Sequence, residues 1–110
     1  MNYFIAFYTK KQIILEKKII DKCIFLDESY EIIDSFSAIK NNKVFYFDYL
    51  ITDDYSVLKK LGVEFDNNYV LINYNFQTTL ENTFAFSNLT TSSLQENKQI
   101  EKIIDFIEDN

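Results

Sequence analysis

"KVFYFDYLITDDYS", residues 43–56, sets five aromatic rings and three aspartates in fourteen positions. The alternation of Phe45, Phe47, Tyr49 and Ile51 with Val44, Tyr46, Asp48 and Leu50 predicts a strand over 43–51, with the first set turned to the core. The next residues predict a helix with both ends marked. Thr52 offers a side-chain oxygen as N-cap, and Asp53 and Asp54 put negative charge in the first turn. Val57, Leu58 and Leu61 form an inward stripe, and Lys59 and Lys60 suit the last turn. Gly62, the only glycine, stands where a left-handed stop residue belongs.

Outward from this stretch, "YEIIDSFSAI" at 30–39 lies across "KNN", a natural hairpin loop. Nearer the start, "NYFIAFY" at 2–8 is apolar on both faces, which suggests an interior strand covered on both sides. "TKKQ" turns the chain, and "IILEKKII" at 13–20 is expected to pair back as a hairpin or to form a short helix. "KCIFLD" is another short apolar run, and "NNYVLINYNF" and "LENTFAF" read as strands further on. Ser93 and Glu96 have capping-box spacing, and Ile100, Ile103, Ile104 and Ile107 make a helical stripe behind them. The expectation is one α+β domain over 1–110. Its mainly antiparallel sheet is covered on one side by two helices, at about 52–61 and 93–108.

Composition removes much chemistry. The chain has no His, which takes away the usual general base near neutral pH and the commonest nitrogen ligand for metals. A single glycine rules out a glycine-rich phosphate loop. The one cysteine, Cys23, sits inside "CIFL" and reads as a small hydrophobe, in keeping with a reducing cytoplasm. The hydroxyls of "TTSS" at 90–93 have no base to activate them. Asp48, Asp53 and Asp54 invite a Mg²⁺ site, but the helix dipole already accounts for two of them. "EKK" at 16–18 matches the end of a nuclease-type pair but lacks the preceding aspartate. No cofactor or metal is expected.

The net charge of −6 is uneven, with a small lysine cluster near the N-terminus and acid toward the C-terminus. An acidic protein repels phosphate backbones, so direct nucleic-acid binding is disfavoured. No apolar run approaches the roughly 20 residues of a membrane span, and no targeting segment is visible. The expectation is a cytoplasmic protein without a membrane partner.

The second face of the 43–51 strand carries Tyr46 and Asp48. If that face meets solvent, Asp53, Asp54 and Tyr55 are expected beside it, with Glu64, Asp66 and Tyr69 adding similar groups. Such a surface is poor for catalysis and suited to gripping a basic protein. Tyrosine supplies rigid area with a polar tip, and opposite charge speeds the encounter.

In size, charge and Ile/Asn/Lys-rich composition the whole chain resembles bacterial immunity proteins, including those that neutralise contact-dependent inhibition toxins and other polymorphic toxins. The resemblance rests on no motif and assigns no residue. It implies a one-to-one complex with a cationic toxin domain, often a nuclease. Two alternatives stand beside it: a phage-encoded inhibitor of a defence nuclease acting as a nucleic-acid mimic, and a small metal- or carboxylate-dependent hydrolase.

Overall fold

The computed structural model describes residues 3–109. In chain order the elements are β1 (Ile5–Tyr8), α1 (Lys17–Ile20), β2 (Cys23–Leu26), β3 (Glu31–Asp34), β4 (Ser37–Lys40), β5 (Lys43–Tyr46) and β6 (Tyr49–Thr52). They continue with α2 (Tyr55–Leu61), β7 (Phe65–Asp66), β8 (Tyr69–Val70), β9 (Thr83–Ala85), a 3-10 turn at Ser87–Leu89 and α3 (Glu96–Glu108).

The central sheet has four strands in the order β2-β1-β6-β9, and every pairing in it is parallel. Antiparallel strand pairs make up a three-stranded sheet, β3-β4-β5, and the β7-β8 ribbon, and an isolated antiparallel bridge joins Gln77 to Phe84 of β9. This corrects the expectation of one mainly antiparallel sheet. The physical reason is visible in the strands themselves. β1 buries Ile5 and Phe7 on one face and Ala6 on the other, and β6 buries both Leu50 and Ile51. Strands buried on both faces are characteristic of parallel sheets with crossovers over each face.

One face of the sheet carries Ile5, Phe7, Ile51 and Phe84 against Ile19 of α1 and Ile100, Ile103, Ile104 and Ile107 of α3. The other carries Ala6, Leu26 and Leu50 against Ile32, Ala38 and Val57, which come from β3, β4 and α2. Leu58 of α2 packs with Ala85, Val63 and Val70 on that same side. The two longer helices therefore lie on opposite faces, not on one side as expected. Lys60 of α2 donates to the Ile32 carbonyl at 2.5 Å and ties the helix to β3.

Strand 43–51 of the sequence reading is in fact two strands. The chain leaves the antiparallel sheet after Tyr46 and enters the parallel one at Tyr49. Asp48 fixes the junction: its carboxylate accepts from the Phe4 amide at 2.8 Å, while its own amide donates to the Phe4 carbonyl at 2.9 Å. The hairpin at "KNN" is confirmed, with Asn41 and Asn42 both at positive φ, 53° and 64°, as a two-residue primed turn requires. "IILEKKII" ends in helix α1, and "NNYVLINYNF" keeps strand geometry only at Tyr69–Val70.

Caps also move. Thr52 belongs to β6, and the N-cap of α2 is Asp54, whose carboxylate accepts from the Val57 amide at 2.9 Å. Gly62 does stop the helix in the left-handed region, at φ 81°. The expected capping box at Ser93 is absent: α3 starts at Glu96, after Gln95, and Glu96 turns to other partners. Cys23 is a hydrophobe with a weak donor, its Sγ 3.1 Å from the Ile19 carbonyl, and burial pushes its thiol up to about 11.

Candidate functional site

The four parallel strands are wound in both directions from β1. The connection to β2 runs over the α1 face, while those from β2 to β6 and from β6 to β9 run over the α2 face. Chain leaving β1 and chain leaving β6 therefore diverge to opposite faces and leave a crevice between adjacent strand ends. Open α/β sheets bind their ligands at this switch point.

The crevice is real and sizeable, about 460 Å³. Tyr8 to Lys11 come from the end of β1, Asp27 and Glu28 from the end of β2, and Asp53 to Ser56 from the end of β6 and the start of α2. Thr52 locks its base. Its hydroxyl donates to the Tyr8 carbonyl at 2.7 Å and accepts from the Asp54 amide at 3.0 Å, joining the ends of β1 and β6.

Four carboxylates face two lysines here, and both lysines already have acidic partners. Lys10 lies 3.6 Å from Glu28 in an exposed pair, and Lys11 lies 3.7 Å from Asp53. Lys11 also donates to Ser87 at 2.6 Å and to Glu96, beyond the end of β9. The phenol of Tyr8 is held above its ordinary value by burial first, and then by Asp54, Glu28 and Asp27. Asp27 itself is held below the usual carboxylate range by hydrogen bonds from the Ser29 hydroxyl and amide. The site is thus a partly buried phenol in a negative field, a place where a cation gains and an anion loses. Among the described residues, no three His, Cys, Asp or Glu side chains are grouped closely enough to hold a metal ion.

The structure gathers part of the surface read from sequence. Asp53, Asp54 and Tyr55 line the crevice. The ring of Tyr55 lies 5.1 Å from that of Phe65, which brings it against the β7-β8 ribbon bearing Asp66 and Tyr69, with Glu64 just before it. Tyr46 and Asp48 are elsewhere. They precede β6, so Asp48 is roughly 16 Å along the strand from Asp53. Tyr46 is 72% exposed on β5, and the Asp48 carboxylate is engaged by Phe4. Sequence reasoning missed Tyr8, Lys11, Asp27 and Glu28. Their signal was position: each follows an apolar run at the end of a strand, which matters only once those strands are known to be parallel.

Compared with known proteins, the chain matches no family model, no curated protein and no solved structure.

Proposed function

We propose that this chain is a non-catalytic binding protein whose acidic crevice and tyrosine-bearing rim grip a basic protein. Its role on this reading is that of an immunity protein, holding a nuclease-like toxin domain in a one-to-one complex. The observation that carries the proposal is the crevice at the strand ends, lined by four carboxylates, where Asp54, Glu28 and Asp27 act on a partly buried phenol and Lys10 and Lys11 are paired within the chain. An entering lysine or arginine side chain would meet charge-assisted acceptors and aromatic faces. Tyr55 and Tyr69, both about half exposed, offer rigid apolar area at the rim. The toxin assignment adds the resemblance in size, charge and composition to immunity proteins.

The test is co-expression with the product of the neighbouring reading frame. On this proposal the neighbour alone arrests growth and the chain relieves the arrest. The purified pair contains the two chains in equal amounts, and Asp53→Lys with Tyr55→Ala abolishes both effects while the fold melts normally. Full protection by that double variant would remove the crevice from the proposal.

One observation favours a second reading, a small carboxylate-dependent hydrolase: the crevice occupies the switch point where open α/β sheets hold small ligands. Turnover of a small ester or phosphoester by the purified chain, lost in Asp53→Asn, would put this reading first.

A further inference from the structure

Strand β2 is an outer strand of the central sheet, and its free edge is unusually well suited to pairing. The Ile5 amide donates to the Lys22 carbonyl at 2.8 Å. In this parallel register that turns the peptide groups of Ile24 and Leu26 toward β1 and those of Cys23 and Phe25 outward. Among the described residues, no strand pairs with that outward row. The opposite outer strand differs, because Phe84 of β9 is bridged by Gln77. Exposed edges are normally blunted by charge, proline or a bulge. Here the edge reads Cys23, Ile24, Phe25, Leu26, and Phe25 is 48% exposed. Ile20 is exposed too and lines the same hollow as Phe25, on the α1 face.

We propose that β2 pairs antiparallel with β2 of a second copy of this chain, about a two-fold axis through Phe25, so that the two parallel sheets become one continuous sheet. This goes beyond partner binding at the crevice and does not depend on it. Directly opposed residues in an antiparallel pair share a face, so an axis that keeps the buried faces aligned must pass through a residue. An axis at Ile24 sets Asp21 against Asp27 of the second copy, which repels. Both axes place outward peptide groups opposite outward peptide groups, but one at Phe25 sets Lys22 against Glu28, which attracts.

The aromatic rings point to the same register. Phe25 is stacked on Phe7, with centroids 5.5 Å apart and planes 14° from parallel. At the axis, the two Phe25 rings stand side by side at a strand spacing of about 4.8 Å. The existing two-ring stack then runs across the interface and on to Phe7 of the second copy.

Sedimentation of the purified wild-type chain at rising concentration is expected to pass from the mass of one chain to that of two, and Phe25→Asp is expected to stay at one. Lys22→Glu and Glu28→Lys should each weaken the dimer, and the two changes in one chain should restore it. That rescue is specific, because the contacts of Lys22 with Glu108 and of Glu28 with Lys10 within one copy are not re-formed by the exchange. Phe25→Cys in a Cys23→Ser background is expected to give a disulfide-linked dimer on mild oxidation, since opposed residues of a bonded pair lie about 5.5 Å apart at Cα. A single-chain mass at every soluble concentration overturns the proposal. So does a dimer that neither cross-links through position 25 nor shows the charge rescue.

Discussion

Lys11 and Ser87, 76 positions apart in sequence, meet side chain to side chain at 2.6 Å. The same ammonium group reaches Glu96 and lies 3.7 Å from Asp53, and the Ser87 hydroxyl donates to Glu96 at 2.8 Å. The loop after β1, the end of β9 and the first turn of α3 are thereby pinned together at one corner of the crevice. Lys11→Gln should loosen that corner. Charge-assisted bonds at a partly exposed site predict a loss of about 1 kcal/mol, read as a lower urea midpoint with unchanged slope. The same change makes the crevice more negative, so a lysine-rich peptide should bind more tightly to the variant by calorimetry. Weaker peptide binding would mean that Lys11 organises the site more than it offsets its charge.

Asp54 has two roles that substitution can separate. It caps α2 through the Val57 amide, and it is one of the acids raising the Tyr8 phenol. Asparagine caps helices about as well as aspartate, whereas alanine does not. Asp54→Ala should therefore cost about 1 kcal/mol. Asp54→Asn should leave the melting temperature nearly unchanged and still lower the Tyr8 titration midpoint, followed by NMR of ring-labelled tyrosine. A basic partner should associate more slowly with both variants, and the difference from wild type should shrink as salt is added.

Two backbone positions test the turns independently of any binding role. Asn42 sits at φ 64° in the β4-β5 turn, and Gly62 at φ 81° ends α2. Asn42→Gly should be neutral to mildly stabilising, while Asn42→Val should cost about 1–2 kcal/mol, because a β-branched residue resists the left-handed region. A Cβ added at Gly62 would meet nothing within 4 Å. Gly62→Ala should thus cost only the backbone term, about 1 kcal/mol. A markedly larger loss at Gly62, measured by urea unfolding, would point to a contact the structure does not contain.

Local signals in the sequence fared better than pairing direction. Ile100, Ile103, Ile104 and Ile107 all end up buried, as their spacing demanded, and the paired asparagines make the turn expected of them. The two apolar faces of β1 were visible too, but a strand's partner is chosen by what covers it, not by its own alternation. Once "IILEKKII" forms a crossover helix and not a returning strand, β1 and β2 must run parallel. The ends of β1, β2 and β6 then come together, and Tyr8, Asp27 and Asp53 become neighbours. Asp48 shows the converse. Its place in an aromatic-acidic run suggested a surface role shared with Asp53, yet one strand length puts the two at opposite ends of the sheet, and Asp48 is bonded to Phe4.

Glu96 should leave a signature in the acid limb of stability. Hydrogen bonds from Lys11 and then Ser87 hold its carboxyl below the usual range, against the opposing effect of burial. A carboxylate whose folded value is depressed adds stability that is present above its unfolded value, about 4.3 for Glu, and lost as pH falls through the folded one. Asp34 acts in the same direction, through the Phe36 amide and the Ser37 hydroxyl, so the wild-type limb is shared. Glu96→Gln removes only its own part. Urea midpoints of wild type and variant should differ most near neutral pH and converge as the pH drops below the carboxylate range. A gap that stays constant down to the lowest pH at which the chain folds would assign Glu96 to packing, and would break the chain of charge from Asp53 through Lys11 to the first turn of α3.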